Sequence, residues 1–353
     1  LSRADRQYLV EGGGMDASII TSGEPGLVEK EARLDSKTFK RLDEPLVFPE
    51  SSAASFDLFE TPHFLIGWAG DVRPQAIAET AERLWHGMAF VHMNFRRDWG
   101  DGKMLILLAE DREVHRALGE WLVNHLNSQN QADAANSAKA TWERTGSTSI
   151  PVPEQIIDSH RVFPSALVFN VKDKGMYRKD LSPFPTHGIA GRLLSKQMGG
   201  VSSFGSEGYF AITTGHAYFK EISLAGKSET SLLTVEGSMQ DEIGSKRGFE
   251  DGTSWARSLR SLVRTGKVNA NLEELLKWKP EALNPERLVL IYSLAYYMQS
   301  DWQRLAAYAR MVRRVESNNQ IPPANEIASI FGFDSVEKFN EDWTLFIKEG
   351  KFK

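Results

Sequence analysis

A histidine, a glutamate and several glycines stand in an order that could belong to a metal site in residues 185–208, PTHGIAGRLLSKQMGGVSSFGSEG. On a helix, two histidines four residues apart put both imidazoles on one face and can hold zinc. A glutamate directly after the first can then take a proton from the metal-bound water. Here the five residues are His187-Gly188-Ile189-Ala190-Gly191, so the first imidazole is present while the base and the second imidazole are both glycine. Twenty residues on, Glu207 offers a carboxylate of the kind that completes such a set.

A zinc site needs at least three protein donors on one cavity wall. His187 and Glu207 supply two and Gly191 none. His216 lies nine residues past Glu207, about two and a half helical turns, and so is off the turn that carries the carboxylate. No cofactor is expected, and His187, Glu207 and His216 are the only metal candidates; the plain alternative has His187 and Glu207 hydrogen-bonding to neighbours. Even with zinc bound, Gly188 would leave hydrolysis without its base, a loss of roughly 100- to 10,000-fold. Each helix-interior glycine also costs ~1 kcal/mol relative to alanine. Bare positions at 188 and 191 are therefore expected to admit a backbone, side chain or ligand, helix packing being the simplest case.

Other constellations fall short. Ser203 has Gly205 two residues after it but Val201 two before, so a nucleophile elbow is incomplete. Residues 264–268, RTGKV, lack the leading glycine and the hydroxyl of a phosphate loop. Arg257, Arg260 and Arg264, at i, i+3 and i+7, form a basic helical face expected to be solvated.

Composition narrows the class. With 353 residues, 41% hydrophobic and 25% charged, the chain can bury a large core. A net charge of -5 gives no footprint for nucleic acid or an anionic membrane. The absence of cysteine excludes disulfides, thiolate ligands and thiol nucleophiles. No apolar run reaches the ~18 residues of a membrane span, so no insertion is expected, and the N-terminus lacks the layout of a signal peptide.

The elements that must position these residues follow from periodicity. Residues 64–68 predict a strand, followed by a helix with Ile77, Ala81, Leu84, Trp85, Met88 and Val91 on one stripe. Residues 103–109 predict a buried strand, 110–126 a second helix, and 166–171 another strand. The polar stretch 127–149 predicts a mobile loop or polar helical excursion, and 15–60 an irregular lead-in with a strand or two. Gly199-Gly200 is a helix stop. From Trp255 the chain is mostly helical: Asn284-Pro285 starts a helix through Met298, Asp301 caps one to about Val315, and Asp334 with Glu337 has capping-box spacing for a last helix bearing Val336, Phe339, Trp343 and Phe346.

The order of these pieces, with residues 206–210 (SEGYF) in the place of a W-[LF]-x-E-G segment, resembles the catalytic helix pair of the gluzincin (HExxH zinc metallopeptidase-like) peptidases. The similarity is to their bacterial peptidase-MA-like group, which includes domains of unknown function. It extends over roughly 60–350, the tail included: a Tyr-bearing helix, a basic and apolar helix, the Phe331-Gly332-Phe333-Asp334 turn and a helix with central Trp343. Residues 1–9, LSRADRQYL, resemble the end of an SH3-like homology domain and imply a module upstream.

The resemblance implies an α+β, zincin-like fold. Residues 1–14 would be the tail of an upstream module or a linker, 15–180 an N-terminal α/β part, and 181–353 a degenerate active-site helix pair with an all-helical C-terminal part. It implies that the strand before the catalytic helix is an edge that pairs with extended substrate, that Tyr292 stands where some gluzincins stabilise an oxyanion, and that the protein is extracytoplasmic, periplasmic or secreted. The departures at Gly188 and Gly191 imply a catalytically inactive pseudopeptidase that binds a peptide, polysaccharide or protein. The alternative is an active hydrolase with a rearranged site using His187 and Glu207, with His216 and Tyr292 in new roles. A purely structural module would instead have a filled cleft.

Overall fold

The computed structural model describes residues 29–30, 32, 34–91, 102–199, 206–230, 232–233, 242–243 and 252–350. The architecture is mixed α+β. The described residues of 34–85 and 99–185 form one compact unit and those of 1–33, 86–98 and 186–353 a second, the division falling inside two helices.

The first unit is built on a six-stranded sheet: β1 (Lys40–Phe48), β2 (Ser51–Glu60), β3 (Phe64–Ala69), β4 (Met104–Ala109), β5 (Ser147–Pro151) and β6 (Ser165–Asn170), in the order β1-β2-β3-β4-β6-β5. β1, β2 and β3 pair antiparallel, β3, β4 and β6 parallel, and β5 runs antiparallel to β6. All six residues of β3 (FLIGWA) and of β4 (MLILLA) are buried, as continuous apolar runs require when helices or loops cover both faces of parallel strands. Leu65, Leu105, Leu107, Ala166 and Val168 pack in one core with Leu118, Trp121 and Leu122 of α2 (Arg112–Ser128). The alternate set, Phe64, Ile66, Ile106, Leu108 and Phe169, is equally buried, with Phe169 edge-on to Tyr177 and Phe184. The stripe Ile77, Ala81, Leu84, Trp85 and Met88 of α1 (Pro74–Val91) is buried as predicted.

One expectation changes here and two gain detail. The strand before α5 (Pro183–Gln197) is not an edge: β6 lies between β4 and β5, and the edge on that side is β5. The stretch expected to be a loop or a polar helical excursion holds such a helix, α3 (Ala132–Thr141), and the start of β5, ahead of α4 (Glu154–His160). Ala135 and Trp142 anchor that polar helix, both buried, the indole donating to the His115 carbonyl at 2.9 Å. The described part of the lead-in holds a hairpin of a nine- and a ten-residue strand with two breaks in its register. Charges and Pro45 hide β1 from a periodicity test, but an edge strand tolerates proline, and the register shifts between Leu42 and Leu46.

The second unit is helical: α5, α6 (Tyr209–Ala225), α7 (Gly252–Arg264), α8 (Leu272–Leu276), α9 (Pro285–Met298), α10 (Trp302–Asn318), α11 (Ala324–Ile330) and α12 (Val336–Lys348). α6 is its axis, with fifteen of seventeen residues buried. Asn284 and Asp301 cap α9 and α10 as predicted, each accepting from the third backbone N–H at 2.8 Å. The cap of α12 is Ser335, one residue later than expected, because its hydroxyl and not the Asp334 carboxylate accepts from Lys338 N–H. The arginine face is largely solvated, Arg257 and Arg264 being exposed and Arg260 half-buried, while Arg260 and Arg264 also donate to the Ile347 and Lys348 carbonyls and so close the C-terminus of α12. α5 ends at Gln197 with Gly199 at φ +50, and Gly200 lies outside the described residues.

Candidate functional site

α5 and α6 meet along a seam of residues four apart, His187, Gly191 and Ser195, the row an α-helix presents on one face. The Nδ1 of His187 donates to Glu221 Oε2 at 3.0 Å. A Cβ at Gly191 would find only the Ala217 Cβ within 4 Å, at 3.4 Å. The hydroxyls of Ser195 and Tyr209 are 2.6 Å apart. The two helices therefore run antiparallel in this seam.

Glu221, fully buried, is the hub. Besides His187 it accepts from Ser228 Oγ at 3.2 Å, Glu229 N–H at 2.7 Å, and the N–H and hydroxyl of Thr230 at 3.1 and 3.0 Å. A desolvated carboxylate needs such donors, and five of them offset what burial costs. Tyr218 turns its ring edge to His187 with centroids 4.4 Å apart and donates its hydroxyl to the Thr230 carbonyl at 3.0 Å. Burial first, and the Glu221 charge second, push that phenol well above its ordinary pKa. One carboxylate thus ties together two helices and the segment after α6.

The residues singled out from sequence do not converge. Glu207 is exposed, just ahead of Gly208, which caps α6 in the left-handed region at φ +80. α6 begins at Tyr209, and the twelve residues from there to Glu221 rise about 18 Å, so Glu207 lies at the opposite end of α6 from the carboxylate that His187 meets. His216 is two residues from Tyr218, close to 200° around α6, and faces away from His187. Its Nδ1 lies 3.1 Å from the Tyr308 hydroxyl and 3.4 Å from Gln299 Nε2, and its ring stacks on Tyr308. An amide nitrogen only donates, so Nδ1 accepts and the imidazole is neutral. Burial, then the Lys220 charge, hold it well below the ordinary histidine pKa. Tyr292 is core: it packs edge-on to Trp255, which lies against Tyr218, so two rings separate it from His187.

Among the described residues, no three His, Asp or Glu side chains are grouped so that they could hold a metal ion. His187 spends Nδ1 on Glu221, and neither Glu207, ahead of α6, nor His216, on the opposite face of α6, stands beside its remaining nitrogen. No family model, curated protein or solved structure matches the chain.

Sequence reasoning missed two carboxylates. Glu221 and the adjacent Lys220 are the charged pair of a mostly apolar helix, and that interruption was the available signal. In the sheet unit, Glu82 interrupts the α1 stripe between Ala78 and Trp85 in the same way. It accepts from the Thr61 hydroxyl at 2.6 Å, the His63 N–H at 2.9 Å and the His63 Nδ1 at 2.7 Å, while the His63 ring stacks on Trp85. Burial would raise the Glu82 carboxyl, but the hydrogen bond and charge of His63 and the Thr61 hydroxyl leave it below its ordinary value.

On α5, Arg192 pairs with no carboxylate among the described residues, and burial lowers its guanidinium from the ordinary value. No described helix is long and apolar enough to cross a membrane.

Proposed function

We propose that this chain is a zincin-like, gluzincin-related pseudoenzyme of the bacterial extracytoplasmic space, and that it binds a peptide, polysaccharide or protein rather than cutting one. The observation that carries this reading is the His187–Glu221 pair. The surviving imidazole of the motif serves a saturated structural carboxylate, and a helix with glycine at 188 and 191 offers neither a base nor a second ligand beside it. The reading places an extended ligand on β5, whose outer edge has no partner strand among the described residues and whose backbone groups can add one more strand. The rearranged hydrolase would need His187 and Glu207 in one site, whereas His187 meets Glu221, about three helical turns past the start of α6.

The test is elemental analysis of the protein purified without chelator and then given excess zinc, beside His187→Ala. Zinc well below stoichiometry in both is the expected result. Near-stoichiometric zinc that disappears in His187→Ala overturns the proposal and directs the work to an activity screen.

A further inference from the structure

A cleft of about 500 Å³ opens among α10, α11 and α12, lined in part by Asp301, Arg304, Arg310, Phe331, Phe333 and Asp342. That volume lies within the range of small-molecule sites. The charges around it do not close on themselves. Arg304 alone serves two carboxylates, with Nη1 3.0 Å from Asp301 Oδ2 and Nη2 2.7 Å from Asp342 Oδ2. The Tyr297 hydroxyl donates to the same Asp342 oxygen at 2.7 Å, so Asp342 Oδ1 has no hydrogen bond among the described residues. One wall therefore carries a surplus negative charge.

Arg310 supplies the opposite surplus. It is exposed, donates from Nη2 to the neutral Ile330 carbonyl at 2.9 Å, and pairs with no carboxylate among the described residues. The apolar part of the lining is set by Phe331 and Phe333, both half-buried and both edge-on to the buried Phe339, at 5.7 and 5.6 Å. A cation, a solvent-facing carboxylate oxygen and an aromatic wall match a ligand that carries a carboxylate, an ammonium group and an apolar side chain.

We propose that this cleft binds a free amino acid or short peptide with both charged termini, its carboxylate on Arg310, its ammonium group on Asp342 and its side chain on Phe331 and Phe333. This stands apart from the α5–α6 seam and does not depend on the reading given to that seam. Charge-assisted contacts at both ends supply the selectivity, since removing either ligand charge leaves a protein charge unpaired.

The experiment is calorimetric titration of the whole chain with L-phenylalanine and glycyl-L-phenylalanine, against N-acetyl-L-phenylalanine and L-phenylalaninamide. Saturable binding of at least one zwitterion is expected, weakened tenfold or more in both blocked analogues and in Arg310→Gln, whose exposed side chain can be changed without loss of the fold. Which zwitterion binds tells amino acid from peptide. Absence of saturable binding by both, equal binding of the blocked analogues, or unchanged binding by Arg310→Gln overturns the proposal.

Discussion

The Nδ1 of His187 and the Oε2 of Glu221 lie 3.0 Å apart across the α5–α6 seam, and residues 228–230 bring four further donors to the same carboxylate. Glu221→Ala strands these donors in the interior and is expected to destabilise the protein by about 3 kcal/mol or more, His187→Ala by about 1–2 kcal/mol. Urea denaturation of both single variants and the double variant should give a coupling of at least about 1 kcal/mol. Additive losses would mean that the contact contributes nothing of its own.

The seam and the α6–α9 contact make opposite demands on glycine. At Gly191 an added methyl meets only the Ala217 Cβ at ordinary contact distance, so Gly191→Ala should raise stability by up to about 1 kcal/mol through helix propensity. At Gly215 the same methyl would lie 2.7 Å from the Ile291 carbonyl oxygen, which belongs to backbone and cannot rotate away. Gly215→Ala should cost about 1–3 kcal/mol. Thermal denaturation of the pair decides, and loss of stability in Gly191→Ala would contradict this geometry.

His216 predicts an acid-sensitive core. Its folded pKa lies well below its unfolded value near 6.5, so the unfolded chain binds the extra proton first. The stability it contributes is complete above about pH 6.5 and falls by up to about 1.4 kcal/mol per pH unit as pH drops toward the folded pKa. Comparing denaturant midpoints at pH 7.5 and 5.5 in the parent and His216→Gln should show a smaller acid loss in the variant. Equal losses would place the sensitivity elsewhere.

Arg260 predicts a local effect. Its guanidinium donates to the Ile347 carbonyl in the last turn of α12, so Arg260→Met should cost about 1 kcal/mol and speed amide exchange selectively in the final turn of that helix. Exchange that rises evenly over the helical unit would point to a packing defect instead.

The sequence made the apolar pattern legible and left the polar partners hidden. β3, β4 and the α1 stripe follow from runs of buried side chains, and the starts of α9 and α10 from Asn284-Pro285 and Asp301, because local chemistry decides both. β1, with charges at Lys40, Arg41, Asp43 and Glu44, and β5, with Ser147, Thr148 and Ser149, carry too little apolar signal. Only pairing with β2 and β6 makes them strands. The site was half legible for the same reason. His187 stood out by motif, but its partner is thirty-four residues away on another helix, and Glu207 lay closer to the expected spacing than the residue that meets it. Side-chain choice between two glutamates is tertiary, since burial alone selects Glu221.

The row of rings from His187 through Tyr218 and Trp255 to Tyr292 and Tyr296 joins α5, α6, α7 and α9 with centroids never more than 6.1 Å apart. Interiors packed this way do not yield one helix at a time. These four helices should therefore behave as one foldon, opening at a common free energy, so that any ligand gripping one of them slows the breathing of all four.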